Sequence, residues 1–362
     1  MTPSRRVGAS PYMEWSKLRS HARFDLAGSG LSSFPLARLP VRLEDLEING
    51  PTFYGYAPLQ ERLARKTGAP PEAIVAAAGT SMANHLALAA LFDPGDEVLI
   101  EQPTYELLPS TADYLGAAIR RFPRRAEEGF RLDPREVERA ITPRTRAVVV
   151  TNLHNPSSVE TDEGVLREIG EIAARSGAAV LVDEVYRETL FSSFRSAYFL
   201  GGNFVTTSSL TKAYGLSGLR CGWILAPPEL ARRMWRIHDL YAATPAHPAE
   251  LLSVAALDGL DAIAAHAKAQ LERNRRLLED LLDARPELDA VRSTAGTTSF
   301  PRLTSSDVAS FCRLLREKYE TSVVPGEFFD APDRFRIGIG AETEVVEEGL
   351  RRVAAALDEI GA

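Results

Sequence analysis

Residues 146–156 read R-A-V-V-V-T-N-L-H-N-P, and residues 178–186 read A-A-V-L-V-D-E-V-Y. Each stretch opens on a short apolar run rich in β-branched residues and ends in polar groups. Between them, Asp162–Ser176 carries an amphipathic helical pattern. The two runs are apolar throughout instead of alternating with polar residues. Strand, helix and strand in that order therefore predict parallel strands buried on both faces.

The same alternation extends outward in both directions. Pro58–Lys66 predicts a helix that Gly68 ends, Ala73–Ala78 a strand, Ser81–Phe92 a helix and Pro94-Gly95 a turn. Glu97–Glu101 and Ala118–Phe122 read as strands around a helix at Tyr105–Leu115, and Asn203–Thr207 is a further strand. The two ends of the chain lack this rhythm. Tyr12–Trp15 opens a short helix, and Phe24–Gly30 is extended before it becomes loop. Residues 248–285 are helical in pattern. Thr297–Leu303, Ser322–Val324 and Arg334–Ile339 then read as strands, with helices over Asp307–Tyr319 and Thr343–Ile360. The expectation is an α/β protein with a large domain over 45–265, its mostly parallel sheet covered by helices on both faces. A small α+β domain is expected from 1–44 and 266–362, with a long helix bridging the two.

Composition narrows the class. The chain has 362 residues, 45% hydrophobic and 25% charged, as a soluble globular protein does. Its net charge is −7 and its basic residues are interspersed with acids, which argues against a nucleic-acid partner. No apolar run approaches the roughly 20 residues of a membrane span. The first ten residues carry a basic pair with no apolar core behind it, unlike a signal peptide. Cys221 and Cys312 are far apart, which fits a reducing compartment, and the six histidines show no metal-ligand spacing. A soluble cytoplasmic protein without a metal site is expected.

In open α/β sheets, ligands bind beyond the carboxyl ends of the strands. Those ends here are chemically rich. Ala73–Ala78 runs into Gly79-Thr80-Ser81 at a helix start, and residues 147–151 run into Asn152–Pro156. Residues 178–182 end in Asp183-Glu184-Val185-Tyr186, and 204–207 end in Ser208-Ser209-Leu210-Thr211-Lys212, with Arg220 eight positions on. Gly79-Thr80-Ser81 offers backbone N–H groups at the positive end of a helix, a seat for phosphate; a simple N-cap by Thr80 or Ser81 is an equal reading. Arg220 is a natural second phosphate ligand. Asp183, at the end of a buried strand, must be paired to stay ionised, and a cationic heterocyclic nitrogen would serve. Asn155 and Tyr186 can hold an acidic ring oxygen, and Tyr105 can stack on a planar ligand. Lys212, in a poorly charged neighbourhood, is a carbonyl-reactive amine. A phosphate, a pyridinium nitrogen, an acidic oxygen and an aldehyde awaiting a lysine together describe pyridoxal 5′-phosphate.

With these pieces the sequence resembles the class I/II aminotransferases, the fold-type I pyridoxal-phosphate enzymes. The motifs are Y-G-Y-A-P-L-Q-E-R-L-A (54–64), A-G-T-S-M-A (78–83), P-T-Y (103–105), N-L-H-N-P (152–156), D-E-V-Y (183–186), S-L-T-K (209–212), R-C-G-W (220–223) and F-R-I-G (335–338). They span nearly the whole chain in family order. The resemblance implies a seven-stranded sheet, Lys212 as the Schiff-base lysine and proton shuttle, and Asp183 on the pyridine nitrogen. Asn155 and Tyr186 would hold the ring oxygen, and Tyr105 would stack on the ring. Gly79, Thr80, Ser81, Ser209 and Arg220 would surround the phosphate. Arg336 matches the arginine that clamps a substrate α-carboxylate. Tyr54 matches a tyrosine that reaches the neighbouring subunit's cofactor, so a homodimer with shared sites is implied. The implied reaction moves an amino group between an α-amino acid and a 2-oxo acid.

Three departures stand out. Pro156-Ser157-Ser158-Val159 replaces the usual N-P-T-G continuation, and Leu59 replaces a glycine after Tyr54. The usual G-x-P-D-F is replaced by A-G-S-G-L-S-S-F at 27–34. The last change bears on substrate and resembles the start of capreomycidine synthase-type cyclases, which eliminate and close rings on the same scaffold. Ser29, Gly30 and Phe328 are candidates to face the substrate. A separate reading takes Ser209-Leu210-Thr211-Lys212 as the S-x-x-K of serine hydrolases. Lys66-Thr67-Gly68 then precedes that serine instead of following it, and no S-D-N occurs. The effector domain of a transcription regulator is disfavoured by the lack of a basic DNA-binding segment.

Overall fold

The computed structural model describes residues 8–51, 53–192 and 194–361. Helix α1 (Pro11–Leu18) and the short strand β1 (Phe24–Asp25) come first, then α2 (Ala57–Thr67) and β2 (Ile74–Ala78). Helix α3 (Gly79–Leu91) follows β2 without a loop. Next come β3 (Glu97–Gln102), α4 (Leu107–Tyr114), β4 (Ala118–Pro123), α5 (Pro134–Ala140) and β5 (Thr145–Thr151). Helix α6 (Glu163–Arg175), β6 (Ala179–Asp183), β7 (Phe204–Ser209) and β8 (Cys221–Leu225) complete the sheet. Helix α6 follows from its pattern: Leu166, Ile169, Ile172 and Ala173 are buried on one face, and Glu163 pairs with Arg167 across one exposed turn at 2.8 Å.

The seven strands lie in the order β2-β8-β7-β6-β5-β3-β4. All pairings are parallel except those of β8, which runs antiparallel to both β2 and β7. The apolar alternation in the sequence contains no run for Cys221–Leu225, so this strand is an addition to it. Its consequence is direct. Because β8 runs the other way, it starts at the edge where its neighbours end, with Ala78 opposite Cys221 and Ser209 opposite Gly222. Arg220, the residue before β8, therefore stands at the ligand-binding edge.

The continuous strand runs serve two cores. Val148, Val150, Val180 and Val182 pack with α5 and α6 on one face. Ala147, Val149, Leu181 and Val205 pack with α3 and with α7 (Pro228–Ala242) on the other. Each such side chain, fully buried, contributes about 1.5–3 kcal/mol. A third core joins Leu26 and Leu31 to residues between Ala267 and Leu357.

The C-terminal elements differ from the expectations in three places. The helical run over 248–285 is two helices, α8 (His247–Asp258) and α9 (Leu260–Ala284), divided at Gly259. The strand expected at Thr297–Leu303 survives only as Thr298–Ser299 and Arg302–Leu303, because Pro301 supplies no N–H to a ladder. The Ser322–Val324 run divides between Thr321–Ser322, paired with β1, and Val324–Pro325, paired with Phe335–Gly338.

Candidate active site

The strand ends converge on a cavity of about 400 Å³, walled by Gly30, Thr80, Ser81, Tyr105, Asn155, Asp183, Tyr186, Lys212 and Arg220. Four expected residues lie outside its wall. Gly79 and Ser209 sit immediately behind it, Arg336 lies beneath it, and Tyr54 is remote.

Helix α3 presents its N-terminus to this cavity. Its N-cap position is Ala78, with no side chain capping the first N–H groups. The N-cap reading of Thr80 and Ser81 is thereby set aside: Thr80 Oγ1 instead donates to Ser209 Oγ at 2.8 Å. Gly79 has φ +77°, and a Cβ there would run into the Arg220 guanidinium. Arg220 is held over this spot by donating to Ala78 O at 3.0 Å and Ser217 O at 3.2 Å. Uncapped N–H groups, hydroxyls and a guanidinium around one point suit a phosphate.

Asp183 ends β6 with 5% exposure. Burial pushes its carboxyl up to about 6, against the opposing pull of the Asn84 amide, the Val185 N–H and Lys212. Asn84 Nδ2 donates to Asp183 Oδ2 at 2.8 Å, and Val185 N–H donates to Oδ1 at 3.1 Å. A buried carboxylate with this few donors is suited to a cationic partner from the cavity. Lys212 Nζ donates to Ser29 Oγ at 3.1 Å. Burial lowers the lysine's pKa; Tyr12 and Asp183 oppose that shift, whereas Arg336 and Arg220 add to it. The arrangement favours the neutral, nucleophilic amine.

Asn155 is fixed from both ends. Its N–H donates to Thr151 Oγ1 at 3.1 Å, and its Oδ1 accepts from Arg336 Nη1 at 3.1 Å. Arg336 is wholly buried and also donates to Tyr12 Oη at 3.0 Å and Ala27 O at 2.9 Å, while its Nε has no protein partner. The Tyr105 ring meets Tyr12 edge-on at 5.8 Å. Behind Thr151, a fully buried ion pair joins Arg124 to Glu101 at 2.9 Å, and Glu101 accepts both the N–H and the hydroxyl of Thr151.

Sequence reasoning did not single out Asn84, Thr207, Tyr12 or the Glu101–Arg124 pair. Asn84 left a usable signal: it is a buried polar residue on the core-facing side of α3, among Ala83, Leu86, Ala87 and Leu88. Of the substrate-facing candidates, Ser29 and Gly30 line the cavity. Phe328 does not; it packs on Tyr12 and Trp15 at 5.8 and 5.3 Å. Ser209 is fully buried, with its hydroxyl shared between Thr80 and Thr211. An exposed nucleophilic serine, as the S-x-x-K reading requires, is not what stands there. Tyr54 is 59% exposed and donates to Asp239 of its own chain at 2.8 Å.

Comparison with known proteins agrees with this geometry. The family model for aminotransferase class I and II matches residues 47–353. The capreomycidine synthase of Streptomyces vinaceus is 32% identical, the match covering 98% of this chain and 94% of that one. A PLP-dependent aminotransferase structure from Streptococcus suis superposes with a TM-score of 0.90 at 26% identity, covering 98% and 99% of the two chains. The structure of a PLP-dependent cyclase superposes at 0.87, also at 26% identity, covering 98% of each. The chain belongs to the class I and II aminotransferase family, with the fold-type I architecture and pyridoxal phosphate as its cofactor.

Proposed function

We propose that this protein transfers an amino group between an α-amino acid and a 2-oxo acid, with Lys212 taking and returning the proton. Pyridoxal phosphate, when bound, supplies the sink for the electrons left by cleavage of the Cα–H bond. Thr80, Ser81 and the α3 N–H groups hold its phosphate together with Arg220, with Gly79 giving room and Ser209 orienting Thr80. Asp183 pairs with the ring nitrogen, Asn155 and Tyr186 hold the ring oxygen, and Tyr105 covers the ring face. Arg336, with its unpartnered Nε, receives the substrate α-carboxylate beside Gly30.

One observation carries the reading. Among the described residues lining the cavity, Lys212 is the one amine, and the one carboxylate, Asp183, is engaged by Asn84 and Val185. A single base that takes a proton from Cα and returns it to a neighbouring carbon is what amino transfer requires. Keto-acid formation from an amino-acid panel, coupled to amination of an added 2-oxo acid, tests it.

A second reading, elimination followed by ring closure, has its own support. The Streptomyces synthase aligns along 98% of this chain, including the N-terminal segment, and Gly28–Leu31 of that segment line the cavity. Eliminated or cyclised product from the same panel, without coupled amino transfer, would decide for it.

The proposed working form is a homodimer. Phe53, Tyr54, Leu240 and Tyr241 are exposed, and Tyr54, hydrogen-bonded to Asp239, lies outside the cavity of its own chain, on a surface that a second copy would cover. Sedimentation of the purified protein as a monomer would count against this.

A further inference from the structure

The segment Ala27–Leu31 crosses over Lys212 and is pinned along its length. Leu31 N–H donates to Lys212 O at 2.8 Å, Thr297 Oγ1 donates to Ser29 O at 2.8 Å, and Gly338 N–H donates to Leu26 O at 2.7 Å. The fit against the Phe335–Gly338 strand is close, since a Cβ on Gly338 would collide with Gly28 O. On the other side, a Cβ on Gly30 would lie 3.4 Å from Thr211 O and 3.5 Å from Lys212 Cδ. Ser29 thus has little freedom, with 7% of its surface exposed. Its hydroxyl meets Lys212 Nζ at 3.1 Å.

We propose that Ser29 is a positioning residue for the Lys212 amine. This rests on the reading of Lys212 as the proton carrier. A neutral amine has two N–H bonds and one lone pair. Donating one N–H to Ser29 Oγ fixes the rotation about the terminal C–N bond and leaves the lone pair for the substrate's Cα–H. Ser29 acts here only as an acceptor, so it gains no proton and leaves the amine's own proton inventory unchanged. Restricting the amine to one orientation is a contribution to rate rather than to binding.

The test compares Ser29→Ala and Ser29→Thr with the unaltered protein in two measurements. The first strips the cofactor from the full-length chain and follows acylation of Lys212 by acetic anhydride against pH, using peptide mass spectrometry. The charged groups around the amine, Asp183, Arg336 and Arg220, and the phenols Tyr12 and Tyr186 are the same in all three proteins. A hydroxyl accepting from the ammonium favours its charged form. Ser29→Ala is expected to lower the midpoint, and Ser29→Thr to restore it. The second follows exchange of the Cα–H of L-alanine, L-glutamate and L-arginine into deuterated water by the holoenzyme. Ser29→Ala is expected to slow the saturated rate about tenfold, with KM within about twofold and the bound cofactor's absorbance retained, and Ser29→Thr to recover it. An unchanged midpoint and rate in Ser29→Ala, or loss of the cofactor, overturns the proposal. So does Ser29→Thr as impaired as Ser29→Ala. Full exchange by Lys212→Ala would instead overturn the underlying reading of Lys212, whatever Ser29 does.

Discussion

Asn84 donates its side-chain amide to Asp183 Oδ2 at 2.8 Å, while its own carbonyl accepts from Thr207 Oγ1 at 2.6 Å. The helix whose N-terminus faces the cavity, the proposed seat of the phosphate, thus also orients the Asp183 carboxylate from about one and a half turns further on. Burial dominates that carboxylate and pushes it up to about 6. In the cofactor-free fold Asp183 is therefore neutral below about pH 6 and charged above it. Its contribution to stability is largest below the unfolded value of about 3.9 and is lost as pH rises through about 6. Cofactor pairing has the opposite sign, because it needs the charged form. Affinity for pyridoxal phosphate is expected to fall as pH drops below about 6. A phosphate ester also ionises near 6, so the reading is the difference between the unaltered protein and Asp183→Asn, in fluorescence titrations across that range. Asn84→Ala should move the midpoint upward. Identical profiles in all three proteins would contradict the assignment.

The proposed phosphate seat brings a glycine and a guanidinium into contact. Gly79→Ala places a methyl group against Arg220 at a backbone angle that disfavours it. Arg220→Lys keeps the charge but gives up the paired donors. Both variants are expected to bind cofactor about tenfold more weakly or worse, while melting within a few degrees of the parent without cofactor. Equilibrium dialysis against pyridoxal phosphate checks the first statement. Pyridoxal without phosphate should show little difference between the proteins.

The Glu101–Arg124 pair lies behind the site with neither side chain exposed. Removing one partner leaves the other charge buried and uncompensated, a loss of about 3–5 kcal/mol. Glu101→Gln should therefore lower the urea midpoint sharply. It should also weaken cofactor binding, since Glu101 anchors Thr151 and Thr151 anchors the Asn155 backbone. Unchanged stability would show the pair to be dispensable.

His154 is wholly buried between Ser157 Oγ and Pro103 O, and burial holds its pKa well below the ordinary histidine value. A histidine kept neutral by the fold contributes stability above about pH 6.5 that is lost as pH falls below it. Thermal melting without cofactor should decline from neutral pH toward pH 5. His154→Gln should flatten that slope even if it starts from a lower value.

Much of this was legible in the sequence, for identifiable reasons. The sheet was readable from β5 and β6 because parallel strands buried on both faces leave continuous apolar runs. Strand β8 was not, since C-G-W-I-L follows Arg220 directly and only a single 3-10 turn, Ser217–Leu219, comes before it. Most of the residues that line the cavity were readable because they stand at or just beyond a strand's carboxyl end, whereas Arg220 precedes β8. Asn84 and Tyr12 act from helices at positions the strand-end rule does not reach. Glu101 lies one residue before the end of a strand, β3, yet it pairs with the buried Arg124 instead of lining the cavity. The helical run divides at Gly259, a residue that disfavours a helix interior, although the helical pattern continues on either side of it.

The proposed amino transfer turns on Lys212, and Lys212→Ala tests that role most directly. The measurement is the rate of Cα–H exchange into deuterated water for a panel of amino acids, on protein shown by mass and absorbance to hold pyridoxal phosphate. The variant is expected to retain cofactor through Asp183, Arg220 and the α3 N-terminus, to lose covalent attachment on borohydride treatment, and to slow exchange by about a hundredfold or more. Exchange at the parent's rate, or borohydride attachment at some other lysine, would contradict the account.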